Sequence, residues 1–248
     1  MRFWPVLAAL LLSVPSVAAA KCAAPGPFLV PAEGDLPANP SLHLFFPAWS
    51  KEPPPFTIKD GQGNELEHTV VAVASSKAFQ VVRIDIASGD ATSIVVSQES
   101  YGTTKDRTYR VDRSYAPAPR SRVRITSTPE SSYEWMCSHE ELRNLTVDTT
   151  APLFRVEWAE SEKAFRAGER KSVLLAHRTT ELAFRWNEKP VPETASLPLG
   201  HLNCTGATLE WNGPIWAAVI AVYPDGSETP LGEPEEIPPP SSSKGKFR

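Results

Sequence analysis

Apolar side chains in this chain recur at alternate positions, in short runs separated by turn residues. In Ser41-Leu42-His43-Leu44-Phe45-Phe46, the residues Leu42, Leu44 and Phe46 share one face. Between Gln80 and Ile86, the residues Val82, Ile84 and Ile86 point one way while Arg83 and Asp85 point the other. A period of two is that of a strand with one buried face. Residues 70–74, 94–96, 109–111 and 123–125 are further strand candidates. Asp60-Gly61-Gln62-Gly63-Asn64, Ser88-Gly89-Asp90 and the prolines at 117 and 119 supply turns between them. With 25 prolines in the chain, long helices are excluded. About seven strands between Ala23 and Thr128 fit one β-sandwich.

The second half has the same style. Phe154, Val156 and Trp158 alternate with Arg155 and Glu157, and Leu182, Phe184 and Trp186 alternate with Ala183 and Arg185. A later pair of runs covers residues 199–211 and 215–223, closed by Pro224-Asp225-Gly226-Ser227. Trp158, Trp186 and Trp211 take inward positions. Ser161 to Ala167 offers one short helical turn. The expectation is all-β, with a second sandwich nearer three-plus-four strands than a barrel. Two polar breaks compete as the boundary, Thr128-Pro129-Glu130-Ser131-Ser132 and Asp148-Thr149-Thr150-Ala151-Pro152. The first is favoured, making residues 133–137 an opening strand. This gives domains at 21–128 and 129–234. A tail at 235–248 has little to bury and is expected to be disordered.

The first twenty residues, MRFWPVLAALLLSVPSVAAA, read as a signal peptide. Arg2 precedes the apolar stretch from Val6 to Leu12, and Ala18-Ala19-Ala20 suits a signal peptidase. The stretch is shorter than the about 20 residues that cross a bilayer, and no later run approaches that length. Lys21 stands before Cys22, where lipid attachment would need a small residue. The expected product is a secreted or periplasmic chain in an oxidising compartment. Without Arg2 it carries 24 basic against 29 acidic side chains. Six arginines fall between Arg107 and Arg124, but Asp106 and Asp112 sit among them. These are solvated strand faces and loops, and nucleic acid is not an expected partner.

At Pro31-Ala32-Glu33-Gly34-Asp35-Leu36-Pro37-Ala38-Asn39-Pro40, followed by the strand at Leu42, the chain resembles bacterial Ig-like domains. Those open on a Pro-x-(Asp/Glu)-Gly turn, then a Val/Leu-Pro-x-Asn turn entering a strand. Gly34 permits a positive φ, and Asn39 can close an Asx-turn. The linker-like Asp148-Pro152 segment and Val222-Tyr223-Pro224-Asp225-Gly226-Ser227-Glu228 resemble parts of Ig-like or fibronectin-III-like modules. The whole is similar to secreted two-module proteins of myxobacteria and related Gram-negative bacteria. The resemblance implies two tandem Ig-like β-sandwich domains and transfers no catalytic residue.

Cys22, Cys137 and Cys204 allow one disulfide and an odd thiol. Cys137 and Cys204 are spaced much like the inter-sheet bridge of immunoglobulin domains, although Leu202 stands where their tyrosine would. This pairing is preferred to Cys22–Cys137 and would stabilise by roughly 4 kcal/mol. A competing reading groups Cys137, His139, His201 and Cys204 as a tetrahedral zinc set, possible for a hydrolase if Glu140 lay near. The Cys-x-His spacing is tight for a zinc knuckle, and oxidation competes. His139-Glu140-Glu141-Leu142-Arg143 lacks the second histidine of a zincin helix, and no nucleophile elbow, phosphate loop or Cys-x-x-Cys occurs. Asp60, Gln62 and Asn64 alternate as calcium ligands might but lack the downstream glutamate, so a polar hairpin turn is preferred.

Trp49 lies in a proline-stiffened loop and is expected to cap the core. Exposed instead, it would suit a partner or sugar, as in a carbohydrate-binding module. The expected function is non-enzymatic, without cofactor or metal: an interaction or structural protein whose partner is a protein or polysaccharide of the cell envelope.

Overall fold

The computed structural model describes residues 26–100, 102–117, 126–130, 141–148, 151–176, 194–202 and 206–239. The first sandwich contains β1 (Phe28–Val30), β2 (Asp35–Leu36), β3 (Ser41–Pro47), β4 (Phe56–Asp60), β5 (His68–Ser75), β6 (Phe79–Ile86), β7 (Ser93–Ser100) and β8 (Thr103–Val111). One sheet runs β1-β3-β6-β5 and the other β2-β8-β7-β4, with β2 parallel to β8 and every other pair antiparallel. Lettered in chain order, these are A-B-E-D and A′-G-F-C, the immunoglobulin arrangement.

The expected inward residues meet across this sandwich. Leu42, Leu44 and Phe46 with Val82, Ile84 and Ile86 pack on Ile58, Ile94, Val96 and Tyr109. Each large apolar side chain buried this way stabilises by about 1.5–3 kcal/mol. The Tyr109 hydroxyl keeps a partner in this core, donating to the Pro31 carbonyl at 2.9 Å. Burial, the leading cause, pushes its pKa up to about 12.

The second sandwich contains β9 (Thr126–Glu130), β10 (Glu141–Asp148), β11 (Leu153–Ala159), α1 (Glu162–Arg166), β12 (Lys171–Ala176), β13 (Thr194–Leu202), β14 (Gly206–Ala207), β15 (Ile215–Val222), β16 (Glu228–Pro230) and β17 (Glu235–Ile237). Its sheets run β14-β13-β10-β9 and β12-β11-β15-β16, with β17 also on β15. Apart from the short β14, this is the three-plus-four order of fibronectin type III modules. Leu145, Val147, Leu197 and Leu199 face Phe154, Val156, Trp158, Val219 and Ala221 across the core. The short helix forms where expected, its N-cap Ser161 accepting from the Ala164 amide at 3.2 Å.

Several expectations need correcting. Thr128, Pro129 and Glu130 are not a linker but lie in β9, paired with Asn144, Arg143 and Leu142 of β10. β9 is an edge strand, the position in a sheet that tolerates a proline. The alternative break contains buried Ala151, part of the second core. The tail expected from 235 begins with a strand: Ile237 pairs with Ile215 and is buried. Asn39 has the positive φ of 55° that its turn needs, but its side chain closes no local Asx-turn. Its Oδ1 accepts from the Ser88 amide at 3.1 Å, and its own amide donates to Ser88 Oγ at 3.2 Å. The expected strands at 123–125, 133–137 and 182–186, with Trp186, lie outside the described residues.

The outer face of β3 was expected to meet water. Instead the second sandwich covers it. Phe28, Val30, Phe45, Phe79 and Val81 pack with Leu153, Ala176 and Val222. Phe28 and Phe45 stack at 4.9 Å, with Phe79 edge-on to both at 5.9 and 6.1 Å. The Ser41 amide donates to the Pro224 carbonyl at 2.6 Å, fastening the same seam.

Candidate functional site

Of the residues proposed to bind zinc, only the His201 backbone is described. It lies in β13 opposite Glu141 of β10 and Ala207 of β14. Cys137, His139, Glu140 and Cys204 lie outside the described residues, as do Cys22 and the leader, so the preferred Cys137–Cys204 disulfide lies there too. Among the described residues, no group of three or more His, Cys, Asp or Glu side chains could hold a metal ion.

The calcium-like loop is occupied by its own backbone. Asp60 Oδ1 accepts from the amides of Gln62 and Asn64, both at 2.8 Å, and Oδ2 accepts from Asn64 Nδ2 at 2.8 Å. These bonds, the Asn64 side chain foremost, hold the Asp60 pKa below its ordinary value. This is the polar hairpin turn of the preferred reading.

The described arginines of the arginine-rich stretch, Arg107, Arg110 and Arg113, have local partners; Arg120, Arg122 and Arg124 lie outside the described residues. Arg107 donates to the Ala32 carbonyl at 2.7 Å, Arg110 pairs with Asp35, and Arg113 donates to the Gly89 carbonyl at 2.7 Å. These contacts use the three guanidinium groups to tie strands and loops.

Trp49 does not cap the core. It is 70% exposed, in the loop joining β3 to β4. The alternating pattern ends at Pro47, so it gives Trp49 no side. The loop is fastened to the neighbouring strand: Gln80 Nε2 donates to the carbonyls of Ala48 at 3.1 Å and Ser50 at 2.6 Å. The Ala48 amide donates to the Ala78 carbonyl at 3.1 Å. An indole held out on an anchored backbone can stack against a flat apolar face at little ordering cost. Of the other tryptophans expected inside, Trp158 is buried and Trp211 packs half-buried against the second core.

Two features escaped the sequence reading. One is His43, expected on an exposed face yet only 7% exposed at the seam. Burial first and Arg83 second lower its pKa from 6.5 to about 4, with Asp85 opposing. The run Leu-His-Leu-Phe-Phe carried the available signal, because near-continuous apolarity marks burial on both faces. The other is β5, whose apolar Val70, Val71 and Val73 remain exposed at the end of its sheet.

No protein-family profile and no curated protein matches this chain. Among solved structures it is similar to a pullulanase from an Anoxybacillus species, crystallised with maltotriose. The identity is 10% over 80% of this chain and 24% of the pullulanase, with a TM-score of 0.25. It is also similar to a multidomain fragment of titin, at 13% identity over 86% of this chain and 66% of the fragment, with a TM-score of 0.26. The chain thus spans about a quarter of the length of the pullulanase. Neither likeness, at such scores, bears on function.

Proposed function

We propose that this protein is a non-enzymatic interaction or structural module, exported to the periplasm or beyond, that holds a protein or polysaccharide of the cell envelope. The observation that carries this reading is the seam between the sandwiches. An aromatic cluster and a buried outer sheet face join them, so the pair behaves as one rigid spacer. The leader supports export, and the similarity to bacterial Ig-like modules supports the envelope.

One preparation tests the reading. The chain expressed with its own leader is recovered from the periplasmic or medium fraction, and its thiols and metal are measured. One free thiol and no zinc is the expected result. Cytosolic retention, or three thiols with one bound zinc, overturns it in favour of the set Cys137, His139, His201 and Cys204.

The exposure of Trp49 favours a second reading within the same class, in which the module binds carbohydrate. Quenching of tryptophan fluorescence by a member of a glycan panel, abolished in Trp49→Ala, would establish it. An unaltered spectrum across the panel would sink it.

A further inference from the structure

We propose that the free edge of β5 is a self-association surface, on which a second copy of this chain pairs its own β5 in antiparallel register. The backbone supplies the first argument. The Ala87 amide donates to the Glu67 carbonyl at 2.9 Å, and β5 pairs with β6 in regular register from His68 to Ala72. Antiparallel bonding alternates, so Thr69 and Val71 bond inward to β6. His68, Val70 and Ala72 therefore turn their N–H and C=O groups to the open edge. The partner that satisfies such a row is another extended strand.

The second argument is that, among the described residues, this edge is unguarded where the other edges are guarded. β5 has eight residues without a Lys, Arg, Asp, Glu or Pro. Natural edges are kept short, charged or interrupted by proline to prevent such pairing. Here β1, β16 and β17 have three residues each, and β2 and β14 two. β9 carries Pro129, β4 carries Lys59 and Asp60, and β12 begins at Lys171. β5 alone among these edges is long and apolar, with Val70 45% and Val71 41% exposed.

A second copy fits better than a foreign strand because the ends of β5 are opposite in charge. Glu65 and Glu67 precede it, and Lys77, which at the surface also pairs with Glu210 at 2.7 Å, follows it. An antiparallel copy brings the acidic end of one strand toward the basic end of the other, at two symmetric places. A two-fold axis at Val70 pairs His68 with Ala72, Thr69 with Val71 and Val70 with itself, using the regular part of the strand. The irregularity between Ala72 and Ala74 lies beyond the pairing, where Ala74 packs against the seam cluster. Such an isologous contact closes on itself and leaves no β5 edge for a fibre. A contact one strand wide belongs to the weak, reversible class.

Sedimentation velocity on the mature chain across a concentration series tests this. The wild type is expected to show a reversible monomer–dimer equilibrium. Val70→Lys places two like charges opposite one another and is expected to raise the dissociation constant by about tenfold or more. Thr57→Lys, on the edge strand β4, is the control and leaves it unchanged. Unaltered far-UV circular dichroism shows that the variants fold. A wild type that stays monomeric at every concentration, or a dimer that a folded Val70→Lys leaves intact, overturns the proposal. So does a monomer whose edge binds only an added foreign peptide.

Discussion

His43 sits where a neutral ring is tolerated and a charged one is not. Its pKa falls from 6.5 to about 4 because burial removes water and Arg83 stands nearby. A base whose folded pKa is depressed stabilises the fold fully above the unfolded value. That stability declines as pH drops below about 6.5 and levels off near pH 4, for a total of about 3 kcal/mol. Asp60 and Asp112 are held below the ordinary carboxylate value of 3.8, so their losses belong to a lower window. Urea denaturation at pH 7, 5.5 and 4 should show the decline, and His43→Leu should flatten it; an equal decline in the variant would remove His43 as the cause. Asn39 makes the other residue-scale prediction. Asn39→Gly keeps the turn and the backbone amide's bond to Ser88 Oγ but loses the side-chain bond from the Ser88 amide, costing about 0.5–1.5 kcal/mol. Asn39→Ala loses the same side-chain bond and adds roughly 1 kcal/mol for its left-handed backbone. Thermal melts of the two variants check the order. That Asn39 belongs to a turn was legible in its motif; its own positive φ was not, the sequence having offered Gly34 for that conformation. Nor was its actual partner, because Ser88 is 49 residues away.

At the scale of elements, what was legible depended on where each strand lies in its sheet. β6 and β11 are central strands in which burial of alternate side chains wrote a period of two into the sequence, while β3 and β15, also central, are apolar nearly throughout. β9 and β17 are edge strands of three to five residues, made largely of Thr, Ser, Pro and Glu. They hold their places by backbone pairing more than by side-chain burial, so their composition reads as linker and tail. β17 nonetheless buries Ile237 beside Ile215 in the second core. Ile237→Ala should therefore destabilise by about 2–5 kcal/mol, as other core truncations do. Chemical denaturation measures it; a loss under about 0.5 kcal/mol, as for a surface change, would restore the tail reading. Ser161 gives a smaller test of the same scale. Ser161→Ala removes the cap on the Ala164 amide and should cost about 1 kcal/mol.

The whole molecule was the least legible level, for a physical reason. A period of two reports that one face of a strand is buried, and it does not report what lies against the opposite face. Each sandwich could be read from local alternation and turns, whereas the seam joins residues of β1, β3 and β6 to Leu153, Ala176 and Val222, far along the chain. The candidate surfaces share this dependence on assembly: the sequence shows the apolar β5 and Trp49, but only the fold leaves one at a sheet edge and the other on an anchored loop. The seam also sets how the molecule should unfold. Phe45 stacks on Phe28 and meets the edge of Phe79, while the inward core of β3 is built from Leu42, Leu44 and Phe46. Phe45→Ala therefore empties the seam and leaves the first core its own side chains. A large-to-small change at such a site costs about 3–5 kcal/mol, most of it from the coupling between sandwiches. The wild type should melt in one calorimetric transition whose van't Hoff and calorimetric enthalpies agree. Phe45→Ala should melt in two, because each sandwich keeps a core of its own. A variant that still melts as one unit would mean the sandwiches are coupled elsewhere, through ties such as the Ser41–Pro224 bond rather than the aromatic cluster.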